Sequence, residues 1–111
     1  MKHILFTLIG CPRSLLDDEL HIREVLVDAA RLAQSRVLEV CSYKFEPHGV
    51  TAVVMLAESH ISIHTWPEKG TAVCDVFTCG DHTHPKAAAI YLADAMGSRD
   101  CVSETVIRTL E

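Results

Sequence analysis

The sequence has no Lys/Arg cluster, no long apolar run, no Cys-x-x-Cys pair and no linker or low-complexity stretch. Each absence removes a class of function. A formal net charge of -5 without a basic cluster leaves no phosphate-neutralising surface, so nucleic acid is not an expected partner. That sign is mildly suited to a cationic substrate. No apolar stretch approaches the about 18–20 residues that span a membrane. Residues 4–9 are too few for a signal-peptide core, and no small-residue cleavage site follows them; they read as the first strand of a cytoplasmic protein. Five cysteines is an odd number, and their spacing is not that of a disulfide framework. Cys41 and Cys101 fall in alternating patterns and are expected to be small buried hydrophobes. Cys11, beside Pro12, belongs to a turn. Cys74, Cys79, His82 and His84 have the residue types of a zinc site. Yet Cys74 falls inside a strand, with Asp75 pointing to the opposite face, and no metal is expected.

What the chain does contain is enough for one small domain over residues 1–111. Its hydrophobic fraction of 49% supplies a core. A chain of this length buries only about two-thirds of its surface on folding, so a partner would help it. Ser14 with Asp17 three residues on resembles a helix start. Leu15, Ile22, Leu26, Ala29 and Ala33 then recur at helical spacing, which predicts an amphipathic helix over 14–35, with Asp17, Asp18, Arg23 and Glu24 on its solvated face. Strands are predicted over 37–45, 50–57, 71–78 and, by the alternation of Val102, Glu104, Val106 and Arg108, near the end of the chain. Turns fall at 46–49 and 67–70. Pro85 suits the first turn of a helix running to Met96, with Gly97 just past its end. Two helices and about six strands, mostly joined as hairpins, imply an α+β two-layer sandwich: a mainly antiparallel sheet with two helices packed on one face.

The most informative segment is Glu58-Ser59-His60-Ile61-Ser62-Ile63-His64-Thr65-Trp66-Pro67-Glu68. Ile61 and Ile63 alternate with Ser62 and His64, which fits a strand with one face on the core and the other open to a site. His60 and His64 are not one helical turn apart, because the apolar period is two. Four residues of strand span roughly 13 Å, too far for both histidines to share one metal ion. A single histidine on such a strand is ordinarily a surface or hydrogen-bonded residue. A serine, two histidines and two carboxylates together are not what packing alone requires.

These eleven residues resemble the processing segment of the small prokaryotic type of S-adenosylmethionine decarboxylase proenzyme. Two further blocks extend the resemblance in the right order: Phe45-Glu46-Pro47-His48-Gly49-Val50 before the segment and Asp75-Val76-Phe77-Thr78-Cys79-Gly80-Asp81 after it. The resemblance implies self-cleavage between Glu58 and Ser59, giving a β chain 1–58 and an α chain 59–111 that begins with a pyruvoyl cofactor made from Ser59. It implies that His64 is the processing base, a role that suits a histidine with its ordinary pKa near about 6.5. Thr51 stands where the family has a serine that assists processing. His60 is either a second participant or a structural neighbour. Cys79 takes the family's place for the acid that reprotonates the substrate α-carbon; a thiol, with an ordinary pKa of about 8.5, holds and releases a proton near neutrality.

The implied substrate is S-adenosylmethionine, whose α-amino group condenses with the pyruvoyl carbonyl before carbon dioxide leaves, in a reaction that feeds spermidine synthesis. Phe45 and Trp66 match family aromatics that would stack on adenine or face the sulfonium, and Glu68 would accept hydrogen bonds from the ribose hydroxyls. Core packing is the competing role for both aromatics. The chain departs from the family pattern at Lys69-Gly70-Thr71, where aromatics are usual, and at Lys2-His3-Ile4, a loose echo of Gly-Arg-His-Leu. An arginine or ornithine decarboxylase on the same scaffold, and an uncut, non-catalytic relative that binds zinc, therefore stay open. The family also implies a homodimer of processed pairs, with each site near the interface and built by both protomers.

Overall fold

The computed structural model describes residues 1–79 and 83–109. Among these, six strands and three helices follow in the order β1 (Lys2–Ile9), α1 (Arg13–Leu16), α2 (Glu19–Leu32), β2 (Val37–Lys44), β3 (Val50–Leu56), β4 (Ser59–Trp66), β5 (Thr71–Thr78), α3 (Pro85–Ala95) and β6 (Asp100–Ile107). A 3-10 turn, Pro67–Lys69, joins β4 to β5 and ends at Gly70 in the left-handed region. The strands form one sheet in the order β2-β3-β4-β5-β1-β6, antiparallel at every step. Helices α2 and α3 lie side by side on one face of it. This is the expected α+β two-layer arrangement.

Alternation along the central strands sorts residues between the two faces. Ile61, Ile63 and Thr65 of β4, Ala72, Cys74 and Val76 of β5, and Ile4, Phe6 and Leu8 of β1 are buried under the helices, against Ile22, Val25, Leu26, Ala29 and Leu92. Their neighbours point to the other face, which no element of the described chain covers. Exposed apolar side chains there include Leu5, Tyr43, Met55 and Val73. Among the described residues, no helix is long and apolar enough to cross a membrane.

Three expectations need correction. The helix over 14–35 is broken after its first turn. The Asp17 carboxylate accepts from the Gly49 backbone N–H at 2.8 Å and pairs with Lys44 Nζ at 3.0 Å, while Asp18 adopts extended geometry and caps α2 by accepting from His21 N. Asp17 is thus a clamp on the β2–β3 turn, not part of a solvated face. Arg23 is also engaged, donating to Ser42 Oγ at 2.7 Å, and Ser42 donates on to Glu19. Finally, Cys41 and Cys101 are exposed, whereas Cys11 is buried. Their strands, β2 and β6, are the sheet edges, where an alternating pattern does not guarantee cover.

Gly49 has φ +109°, and an added Cβ would sit 3.2 Å from the Thr65 carbonyl, so the turn needs glycine both for its backbone and for the close approach. Thr65 holds the same region from beneath. It is 6% exposed; its hydroxyl donates to the Leu16 carbonyl at 2.6 Å and accepts from Val50 N at 2.9 Å, tying the end of α1 to β3 and β4. Thr65→Val keeps the shape and strands both partners, so urea unfolding should show a loss of about 1–3 kcal/mol. An unchanged midpoint and slope would refute this role.

Candidate active site

The two residues of the Glu58-Ser59 bond lie in the tight connection from β3 to β4. Leu56 pairs with Ser59, leaving Ala57 and Glu58 as the turn. Glu58 is left-handed at φ +67°, a conformation that costs a side chain with a Cβ about 1–3 kcal/mol. The Ser59 hydroxyl turns back on the same connection and donates to the Ala57 carbonyl at 3.3 Å. Directly across from it β5 ends, and Cys79 Sγ approaches Glu58 Oε2 at 3.7 Å. Glu58, Ser59 and Cys79 are thus brought together by the β4–β5 register. Gly80 and Asp81, which complete the block after Cys79, lie outside the described residues, as does His82.

The other group gathers at the far end of β4. Thr51 and His64 are register partners, and Thr51 Oγ1 lies 3.0 Å from His64 Nδ1. Five residues separate Ser59 from His64 along an extended strand, roughly 16 Å at about 3.3 Å per residue. A single protomer therefore does not deliver His64 to the Glu58-Ser59 bond. At this end too are Phe45, in tilted contact with Tyr43 with centroids 4.8 Å apart, and Trp66; both are exposed, 45% and 40%, which rules out core packing for either. Glu68 Oε1 lies 3.2 Å from His48 Nε2 in the adjoining turns.

Between the two ends, the open face carries a polar cluster that the residue pattern did not reveal. Ser62 and Asp75 are register partners, and the Ser62 hydroxyl donates to Asp75 Oδ1. Asp75 Oδ2 lies 2.6 Å from His3 Nε2 and 2.8 Å from His60 Nε2. Burial pushes the Asp75 carboxyl up, but hydrogen bonds from Ser62, His3 and His60 outweigh it and hold the group below the usual aspartate range. His60 is therefore bound into this cluster. The one signal available was Asp75 itself, the sole acidic residue of the strand TAVCDVFT.

The zinc grouping of Cys74 with Cys79 does not form. Five residues of strand place the two thiols on opposite faces, Cys74 in the core where burial pushes its pKa well up, and Cys79 at the open side beside Glu58. His84 stands at the N-terminal boundary of α3, with no capping bond from its side chain.

The likeness to known proteins runs along nearly the whole chain. The S-adenosylmethionine decarboxylase family model matches residues 2–109. An S-adenosylmethionine decarboxylase proenzyme from Synechococcus sp. (strain WH7803) is 46% identical over 107 residues, 96% of this chain and 84% of that protein. One from Clostridium tetani is 41% identical, over 96% of this chain and 85% of its own. The crystal structure of the adenosylmethionine decarboxylase from Aquifex aeolicus superposes with a TM-score of 0.91 at 38% identity, covering 99% of this chain and 91% of that one. With matches of this extent to sequence and fold alike, the chain belongs to the S-adenosylmethionine decarboxylase family.

Proposed function

We propose that this protein cuts itself between Glu58 and Ser59 and uses the pyruvoyl group so formed to decarboxylate S-adenosylmethionine. The observation that carries this reading is the left-handed Glu58 at a tight turn, directly before Ser59 and within reach of Cys79. The Ser59 hydroxyl attacks the Glu58 carbonyl carbon; the amide C–N bond breaks and an ester to Oγ replaces it. Relief of the strained Glu58 backbone favours that step. Removal of the Ser59 α-proton then breaks the Cβ–Oγ bond, and residues 1–58 leave with an ordinary carboxylate. The remaining dehydroalanine tautomerises, takes up water and loses ammonia, which leaves the pyruvoyl group on His60 N.

The group supplies a carbonyl that captures the substrate's α-amino group and withdraws electrons as carbon dioxide leaves. Cys79 is positioned beside this point to return a proton to the α-carbon. Phe45 and Trp66 offer exposed aromatic faces to adenine and the sulfonium, and Glu68 offers acceptors to the ribose.

The separation of Ser59 from His64 supports a homodimer in which two open sheet faces stack. Leu5, Met55 and Val73 make that face apolar enough to be covered. Reversing one strand over another sets Ser59 and Cys79 of one protomer against the His64 and Thr51 of the partner subunit. Each site is then shared, with His64 drawing the proton from the reacting serine and Thr51 fixing the ring through Nδ1.

Three outcomes follow. Ser59→Ala should remain one chain of 111 residues by mass spectrometry; two fragments from that variant would place the cut elsewhere. Cys79→Ala should be cut yet release carbon dioxide from S-adenosylmethionine about 10²–10⁴-fold more slowly, with no gain on arginine or ornithine; unchanged turnover would remove Cys79 from the proton-donor role. His64→Ala should stay uncut alone but be cut when co-expressed with Ser59→Ala, since the mixed dimer holds one complete site. No rescue would mean that His64 acts within its own chain.

A further inference from the structure

The geometry points to a divalent transition-metal site, of zinc type, formed by His3, His60 and Asp75 at the centre of the open sheet face. Strand β5 lies between β4 and β1, and both histidines pair with the same β5 residue, Phe77, one from each side. Their rings pack on it, with centroids 5.0 Å away for His3 and 5.8 Å for His60. Held there, the two imidazoles stand nearly perpendicular to each other, at 85°, and turn Nε2 toward the carboxylate two residues along the strand. One nitrogen from each histidine and one carboxylate oxygen all fall within 4.8 Å of one another.

Donor chemistry selects the class of ion. Two imidazole nitrogens with one carboxylate suit zinc, cobalt or nickel, whereas magnesium and calcium favour all-oxygen sites. Bonds of about 2.1 Å at tetrahedral angles set donors roughly 3.4 Å apart. The present separations from Oδ2 are 2.6 and 2.8 Å, so the donors need spread only by fractions of an ångström, which small side-chain rotations supply. The Ser62 hydroxyl on Oδ1 serves as the outer support: it orients the carboxylate and leaves Oδ2 to the metal. Three protein ligands leave the fourth position to water. In the single chain the side chains are 15%, 39% and 17% exposed for His3, His60 and Asp75, so an ion can enter before two open faces stack.

Ligand placement gives the site its use. His3 belongs to residues 1–58, and His60 and Asp75 to residues 59–111, so a bound ion joins the two pieces after the proposed cut. Metal binding itself does not rest on that cut.

Chelator-stripped protein titrated with zinc by calorimetry should take up one ion per chain, in the uncut Ser59→Ala form as well as in the wild type. Cobalt should give the visible spectrum of nitrogen and oxygen ligation without thiolate charge-transfer bands, which excludes the five cysteines as the source. His3→Ala and Asp75→Asn should abolish uptake, and Ser62→Ala should weaken it by about 10–100-fold, each with an unchanged circular dichroism spectrum. Absence of zinc uptake, thiolate bands, or full uptake by folded His3→Ala would overturn the site. For the bridging role, zinc should raise the urea concentration that separates the fragments of cut protein. Equal midpoints with and without zinc would overturn that role even if the ion binds, and neither result depends on decarboxylase activity.

Discussion

Everything distinctive about this molecule depends on a sheet that is covered on one face only. Antiparallel pairing lets a sheet bury alternate residues and leave the others open. Here α2 and α3 occupy one side, and every second residue of β1, β3, β4 and β5 is thereby turned to the other. The core needs Ile61, Ile63, Cys74 and Val76; the intervening His60, Ser62, His64 and Asp75 are spared from packing. Polar groups can gather on a strand interior because the hydrophobic work is done on the opposite side of the same backbone.

That division also explains which features were legible in the sequence. Strands over 71–78 and around 58–66 were readable because period-two alternation is a local signal, and Pro85 and Gly97 bracketed α3 by local backbone chemistry. The break between α1 and α2 was not readable. It depends on Asp17 meeting Gly49 and Lys44, partners about thirty residues away that no spacing rule connects. Cys41 and Cys101 carried the alternation of buried residues, but they lie on the edge strands, and edge status is a property of sheet order.

The site divided in the same way. Ser59, His64 and Cys79 could be singled out because their blocks are contiguous in the chain. Their distribution between two ends of β4 became visible only with the register in hand, since a motif written on one line hides the length of an extended strand. The cluster at Asp75 was hidden for the opposite reason: its members are 72 and 15 residues apart in sequence, and only the order β4-β5-β1 brings them together. Strand order, more than residue type, determines what chemistry this face can assemble.

The same order has a consequence for a chain cut between Glu58 and Ser59. Strand β1, from the first piece, is hydrogen-bonded to β5 on one side and β6 on the other, both from the second piece, while β3 of the first piece pairs with β4 of the second. The pieces interleave like two combs. Neither can withdraw without melting ladders on both flanks of β1, so separation is as slow as global unfolding. Cut molecules therefore do not trade fragments with one another, and each keeps for its lifetime the two pieces it was born with.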